Sequence, residues 1–234
     1  MAGIALWAVQ RLRRAVRPTR PQNLCVTATE PAISVVPANE ASWDDLQAVF
    51  GATGPAARCQ CQRFKLRRKE YFVGFPAEER ADRLRQQTDA GQPESKTTSG
   101  LVAYLDGEPV GWCAVEPRSH YEGLVRNNRV PWQGRDEARS DDSVWAITCF
   151  LIRRGFRKGG VSRELAQAAV SFARDRGARA IEGYPIITTD VIMEELLVGT
   201  VMPGVPLLVS SRRHRRPVVM VSLPTSRHSA FPHR

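Results

Sequence analysis

Arg153-Arg-Gly-Phe-Arg-Lys-Gly-Gly-Val-Ser162 is the stretch of this 234-residue chain best suited to chemistry. It follows an apolar run and precedes an amphipathic one, which predicts a turn from a strand into a helix. At such a turn the first N–H groups of the helix lack intrahelical acceptors, and the helix dipole adds partial positive charge. Gly159 and Gly160 remove the Cβ atoms that would keep an anion away, and Arg153, Arg154, Arg157 and Lys158 add full charges. The stretch is a candidate phosphate or pyrophosphate site. The alternative is an ordinary strand-to-helix turn that carries surface arginines. No Lys-Ser/Thr pair follows the glycines and the order GxGxxG is absent, so neither common phosphate loop is present. What remains is Arg157-x-x-Gly160-x-Ser162.

The neighbouring segments are those needed to hold such a turn. Val144–Ile152 is apolar at both alternating positions, as in a central strand covered on both faces. From Val161, apolar residues recur at Leu165, Ala168 or Ala169 and Phe172, one helical stripe closed by Arg176-Gly177. Ala178–Tyr184 is predicted to be the next strand. Upstream, Ala32–Pro37 is predicted to be a strand. A short helix then starts at Ser42-Trp-Asp-Asp45 and ends at Gly51, and another spans Pro76–Gln87. Leu101–Leu105 and Val110–Val115 flank Asp106-Gly107, the strongest hairpin signal in the chain. Residues 116–143 form a long connection in which Tyr121 and Trp132 are expected to wall an acceptor pocket. Its acids Asp136, Glu137, Asp141 and Asp142 are nearly cancelled by neighbouring arginines, as on a solvated face.

The motif in this order of elements resembles the GNAT superfamily of acyl-CoA N-acyltransferases, whose Arg/Gln-x-x-Gly-x-Gly/Ala follows the fourth strand. Ser162 stands at the last position. The resemblance covers about residues 32–200 and implies a mixed α/β fold, a mostly antiparallel twisted sheet flanked by helices. It implies acetyl-CoA as co-substrate. The pantetheine arm would lie along the backbone of Phe150, Leu151 and Ile152, and the pyrophosphate on Arg157, Lys158, Gly159, Gly160, Val161 and Ser162. The implied reaction is direct attack of a primary amine, from a small molecule or peptide, on the thioester. Glu182 and Tyr184 are candidates for base and acid, the alternatives being a solvated strand end and a core tyrosine. Met202-Pro-Gly-Val-Pro206 departs from the family pattern, because prolines and a glycine stand where a helix would propagate. A GNAT-like CoA-binding module without turnover, acting as a sensor or partner domain, is therefore the alternative function.

Composition bounds these readings. With 42% hydrophobic and 25% charged residues the chain suits one globular domain with tails. The termini carry the basicity: residues 1–21 hold five arginines and residues 199–234 hold six, neither with an acid, against a net charge of +10. The span 22–198 is thus close to neutral, which argues against a specific nucleic-acid footprint on the fold. A nucleic-acid binder working through its two basic tails is the third reading. No apolar run is long enough to cross a membrane. The five cysteines show no zinc spacing, so no metal is expected, and reduced thiols in a cytoplasm are the simplest account. Residues 1–30 are expected to be a disordered basic extension, 31–222 the acetyltransferase domain and 223–234 a disordered tail. Neither the acceptor nor the oligomeric state is legible.

Overall fold

The computed structural model describes residues 32–126, 132, 135, 137–184, 207–210 and 218–223. The expectations for residues 1–30, for Met202–Pro206 and for 224–234 lie outside them. The elements are β1 (Ile33–Pro37), α1 (Trp43–Phe50), α2 (Gly54–Cys59), α3 (Ala77–Thr88), β2 (Leu101–Leu105), β3 (Glu108–Pro117) and α4 (Glu122–Val125). They continue with β4 (Val144–Ile152), α5 (Val161–Asp175), β5 (Ala180–Gly183), β6 (Leu207–Ser210) and β7 (Val218–Ser222).

Local chemistry accounts for most boundaries. Ser42 Oγ accepts the Asp45 N–H at 3.0 Å and starts α1, and Asp44 and Asp45 favour the positive end of the dipole. Pro76 precedes α3, which opens with Glu78 and Glu79 and carries Arg85 near its end. Asp106 and Gly107 both have positive φ, 50° and 84°, as a tight hairpin turn of two residues requires. Two short helices, α2 and α4, were not expected. In α2 the signal is Pro55, which suits a first helical turn. β3 runs to Pro117, so the long connection begins later than the composition suggested, with a 3-10 turn at Arg118–His120.

The sheet order is β1-β2-β3-β4-β5-β7-β6, antiparallel throughout except for the parallel pair β4–β5 joined by α5. One face packs on α5 through Val161, Leu165, Ala169 and Phe172 against Val110, Cys113, Val115, Trp145 and Ile147. The other packs on α1 and α3 through Leu46, Phe50 and Leu84 against Val102, Trp112 and Ala114. Leu223, expected in the tail, is instead buried in the α5-side core, and its N–H donates to the Arg179 carbonyl at 2.7 Å. Gly111 sets how closely α5 approaches. A Cβ there would lie 3.0 Å from both Leu165 Cδ1 and Val161 Cγ1 and 3.1 Å from Ile152 Cδ1. Gly111→Val is expected to cost about 1–3 kcal/mol by overpacking, read as a lower urea midpoint with unchanged m-value. An unchanged midpoint would mean that α5 has room to move.

Candidate functional site

Strand β4 is paired with β5 only from Val144 to Ile147, where Ile147 faces Gly183. On the β3 side, Ala114 faces Cys149 while Val115 faces Ile147, which leaves Thr148 as an extra, bulged residue. A bulge bends its strand and increases local twist. Beyond it, Thr148–Ile152 has no ladder partner on the β5 side among the described residues. Among the described residues the result is a gap that opens toward the end of β4, with backbone groups along one edge that no described strand pairs.

The open end leads to the start of α5. Gly160 caps the helix at φ 84° and ψ −12°, and Lys158 also has positive φ, 69°. Alternation of this kind turns successive N–H groups toward one point, a nest for an anion. The Gly160 carbonyl takes the N–H of Arg163 at 2.8 Å and of Glu164 at 3.2 Å. The N–H groups of Gly159, Gly160, Val161 and Ser162 have no acceptor among the described residues. Among the described residues a Cβ on Gly160 would touch only Ile33 Cδ1, at 4.0 Å, so none of them closes that side of the turn. Arg157 folds back onto the strand, with Nε 3.3 Å from the Ile152 carbonyl. Arg153 is committed to Glu108, at 2.8 Å, and to the Pro109 carbonyl.

Gap and turn together form a cleft of about 290 Å³. Of the expected cofactor residues, Phe150, Leu151, Ile152, Arg157, Lys158, Val161 and Ser162 line it, and Phe156 joins them. Gly159 and Gly160 supply the turn between.

Glu182 and Tyr184 are brought together at the closed end of the gap, but with partners that the sequence did not suggest. The Glu182 carboxylate is buried and meets Arg118 Nη1 at 3.2 Å, Arg135 Nη2 and the Tyr184 hydroxyl. Arg118, fully buried, also holds Glu137 at 3.1 Å and the Arg139 carbonyl at 2.8 Å. Arg118, Arg135 and Arg139 stack around Trp132, each about 5 Å from its ring centre. Burial and the Glu182 charge hold the Tyr184 hydroxyl well above its ordinary pKa. Tyr121, expected to wall a pocket, is fully buried on Ala146 and Leu124. The expected solvated acids are engaged: Glu137 with the two arginines, Asp141 with Ser143 and Arg179, and Asp142 with Ser119. Asp136 lies outside the described residues.

The profile of the Acetyltransferase (GNAT) family matches residues 62–184, more than half of the chain. The chain belongs to the GNAT acetyltransferase family. No curated protein matches it in sequence. Solved structures similar to it include the PaiA N-acetyltransferase of Thermoplasma acidophilum in complex with coenzyme A, at 11% identity over 82% of this chain and 99% of that one, TM-score 0.46. Another is yncA of Salmonella typhimurium, a putative acetyltransferase with acetyl-CoA, at 12% identity over 87% and 99%, TM-score 0.45. The ribosomal-protein-S18-alanine N-acetyltransferase of Escherichia coli aligns at 8% identity over 87% and 100%, TM-score 0.39.

In this GNAT domain, Cys113 is buried, and Cys61 accepts the Trp112 Nε1–H at 3.2 Å. Hydrogen bonding with Cys149, then burial, raises the Cys61 thiol, while the same bond lowers Cys149. No group of His, Cys, Asp and Glu suited to a metal occurs among the described residues. No helix among them is long and apolar enough to cross a membrane. Since the donors at the GNAT turn are backbone, Arg157→Ala is expected to weaken acetyl-CoA binding only about tenfold, one charged contact of roughly 1.4 kcal/mol. Calorimetric titration reads this. A loss beyond a hundredfold would make the side chain the main anchor.

Proposed function

We propose that the chain is an N-acetyltransferase that moves the acetyl group of acetyl-CoA to a primary amine of a small molecule or peptide, by direct attack in a ternary complex. The observation that carries this is the junction, in one cleft, of the donor-rich start of α5 with the end of β4, which has no partner on the β5 side among the described residues. Pantetheine contains amides, so it pairs with a free strand edge as an added strand does, here along Phe150, Leu151 and Ile152. A pyrophosphate suits the N–H groups of Gly159–Ser162, with Lys158 and Arg157 adding charge. A strand N–H in the same gap suits the developing oxyanion.

Attack needs a neutral amine. The Glu182 carboxylate is buried and its oxygens are already engaged by Arg118, Arg135 and the Tyr184 hydroxyl, so it is not open to an incoming amine. We therefore assign Glu182, with Tyr184, to fixing the end of β5 beside the gap. That engaged pair is also what favours the second reading, a CoA-binding module without turnover acting as a sensor or partner domain. The described cysteines are free, and we place the chain in the cytoplasm on that ground.

The test is release of free thiol from acetyl-CoA with a panel of primary amines. Amine-dependent release supports the transferase. Tight acetyl-CoA binding with no release for any amine supports the module.

A further inference from the structure

Among the described residues the large hydrophobic side chains left exposed are Phe150, which lines the cleft, and Tyr71 and Val73, at 73% and 93% exposure. Tyr71 and Val73 belong to residues 62–74, between α2 and α3. The exposed charges of that segment are Arg63, Arg67, Arg68 and Lys69, with no exposed acid. Glu70 is taken by Arg83, at 3.1 Å, and accepts the Arg67 N–H at 2.8 Å. The salt bridges of the segment use Lys65, Glu70 and Arg83, which leaves Arg67, Arg68 and Lys69 without an ion pair among the described residues. Exposed apolar and cationic groups side by side mark a binding surface for something anionic with an apolar part.

The fold holds this surface in place. Arg80 of α3, buried, donates to the carbonyls of Phe72, at 2.7 Å, and Phe75, and its guanidinium stands 4.3 Å from the centre of the Phe72 ring. Phe72 is thereby drawn inward, while its neighbours Tyr71 and Val73 turn outward. Upstream, Lys65 Nζ meets the buried Glu116, and the Leu66 carbonyl accepts from Arg126 of α4. Gly123 of α4 lies so close that a Cβ there would stand 2.9 Å from the Phe64 carbonyl oxygen. The exposed charges of α4, Glu122 and Arg126, offset one another. A surface fixed before binding loses little freedom on binding.

The segment starts at the gap. Trp145 and Ile147 of β4 face α5, so Ala146 between them faces the other side, where it packs with Tyr121. Phe64 and Tyr184 pack on that same cluster. Ala146 pairs with Glu182, one step before the β4–β5 ladder ends at Ile147 and Gly183. Phe64 thus stands at the closed end of the gap. The three cations follow it in the chain, all within about 18 Å of it. An extended peptide of five residues covers about 17 Å.

We infer that Arg67, Arg68, Lys69, Tyr71 and Val73 form a docking surface for an acidic peptide that carries the acceptor amine at its end. The inference rests on the acetyl-transfer reading above and names the class of acceptor. The amine enters the gap, carboxylates on the residues that follow it face the three cations, and an apolar side chain covers Tyr71 and Val73. Such a peptide supplies all three groups on one backbone. The chain's own ends are poorly matched to the surface, because residues 1–21 and 199–234 hold five and six arginines and no acid.

The experiment uses the full chain, acetyl-CoA and lysine-free peptides of equal length, each with one terminal amine followed by acidic, neutral or arginine residues. A small amine of the panel is the control. The acidic peptide is expected to have the highest kcat/KM, by at least about tenfold and mainly through KM, with a preference that shrinks as salt rises. Arg67→Glu/Arg68→Glu should raise the KM of the acidic peptide about tenfold or more and leave the small amine's kcat and KM, the acetyl-CoA Kd and the Tm unchanged. Tyr71→Ser/Val73→Ser should raise the KM of the acidic peptide and leave its salt dependence in place. Equal kcat/KM for the three peptides, or an acidic preference that survives Arg67→Glu/Arg68→Glu, would overturn the docking surface. So would duplex DNA or anionic vesicles bound through the same arginines more tightly than the acidic peptide. A wild type that acetylates the small amine and none of the peptides overturns the docking surface and leaves the transfer reading standing. A wild type that binds acetyl-CoA and acetylates no amine overturns the transfer reading, and the docking of an acceptor with it.

Discussion

Gly160→Asp is expected to weaken acetyl-CoA binding by at least about a hundredfold while leaving the fold in place. The Gly160 backbone, at φ 84°, lies where L side chains are strained, and aspartate is among the residues that tolerate it best. Among the described residues a Cβ there meets only Ile33 Cδ1 at 4.0 Å, so no clash with them forces β4 or α5 apart. The added carboxylate instead occupies the space toward which the N–H groups of Gly159–Ser162 point, and it repels a pyrophosphate. Losing two or three charge-assisted hydrogen bonds of roughly 1.5–3 kcal/mol each more than accounts for that factor. Gly160→Ala adds the Cβ without charge and should fall between wild type and Gly160→Asp. Calorimetric titration gives the affinities, and circular dichroism checks that each variant is folded. Wild-type affinity in a folded Gly160→Asp would remove the pyrophosphate from this turn.

Arg118→Ala is expected to produce the largest stability loss. Arg118 is fully buried and ties Glu182 of β5 to Glu137 and to the backbone of Ala138 and Arg139. Its removal leaves the buried Glu182 and the half-buried Glu137 with only Arg135 as counter-charge, at a cost of about 3–5 kcal/mol. For a domain of this size that corresponds to a fall in Tm of roughly 6–20 °C. The same network makes stability depend on pH. Burial raises Glu137, but its own N–H, Arg135 and Arg118 outweigh this and hold the carboxyl below its usual value. A depressed folded pKa gives stability that is present above the unfolded value, about 4.3 for Glu, and lost as pH falls through the folded one. Wild type should therefore lose stability below about pH 4.3, and Arg118→Ala should lose less over the same range. A Tm within one or two degrees of wild type, about 0.5 kcal/mol, would show that Arg135 alone suffices.

The elements that position the cleft were legible because each is a local pattern. β4 is a continuous apolar run, α5 repeats its apolar residues every three or four positions, and the turn between them carries its own glycines. Two features of the site depend on pairings between distant residues. The Arg118–Glu182 and Arg135–Glu182 contacts join positions 64 and 47 residues apart, so each arginine reads in sequence as part of a solvated mixed-charge run. The bulge at Thr148 exists only in the register of β4 against β3, and nothing in Val144–Ile152 marks it. Tyr121 shows a third limit. An aromatic residue in a polar stretch suits a pocket wall and a core equally, and the choice depends on the small Ala146 beneath it.

The most direct measurement of the central claim is a crystal structure of the chain with acetyl-CoA. The pantetheine amides should pair with the backbone of Phe150 and Ile152, and the pyrophosphate should stand at hydrogen-bond distance, about 2.7–3.2 Å, from the N–H groups of Gly159–Ser162. Acetyl-CoA seated elsewhere, with the gap beside β4 empty, would contradict the account.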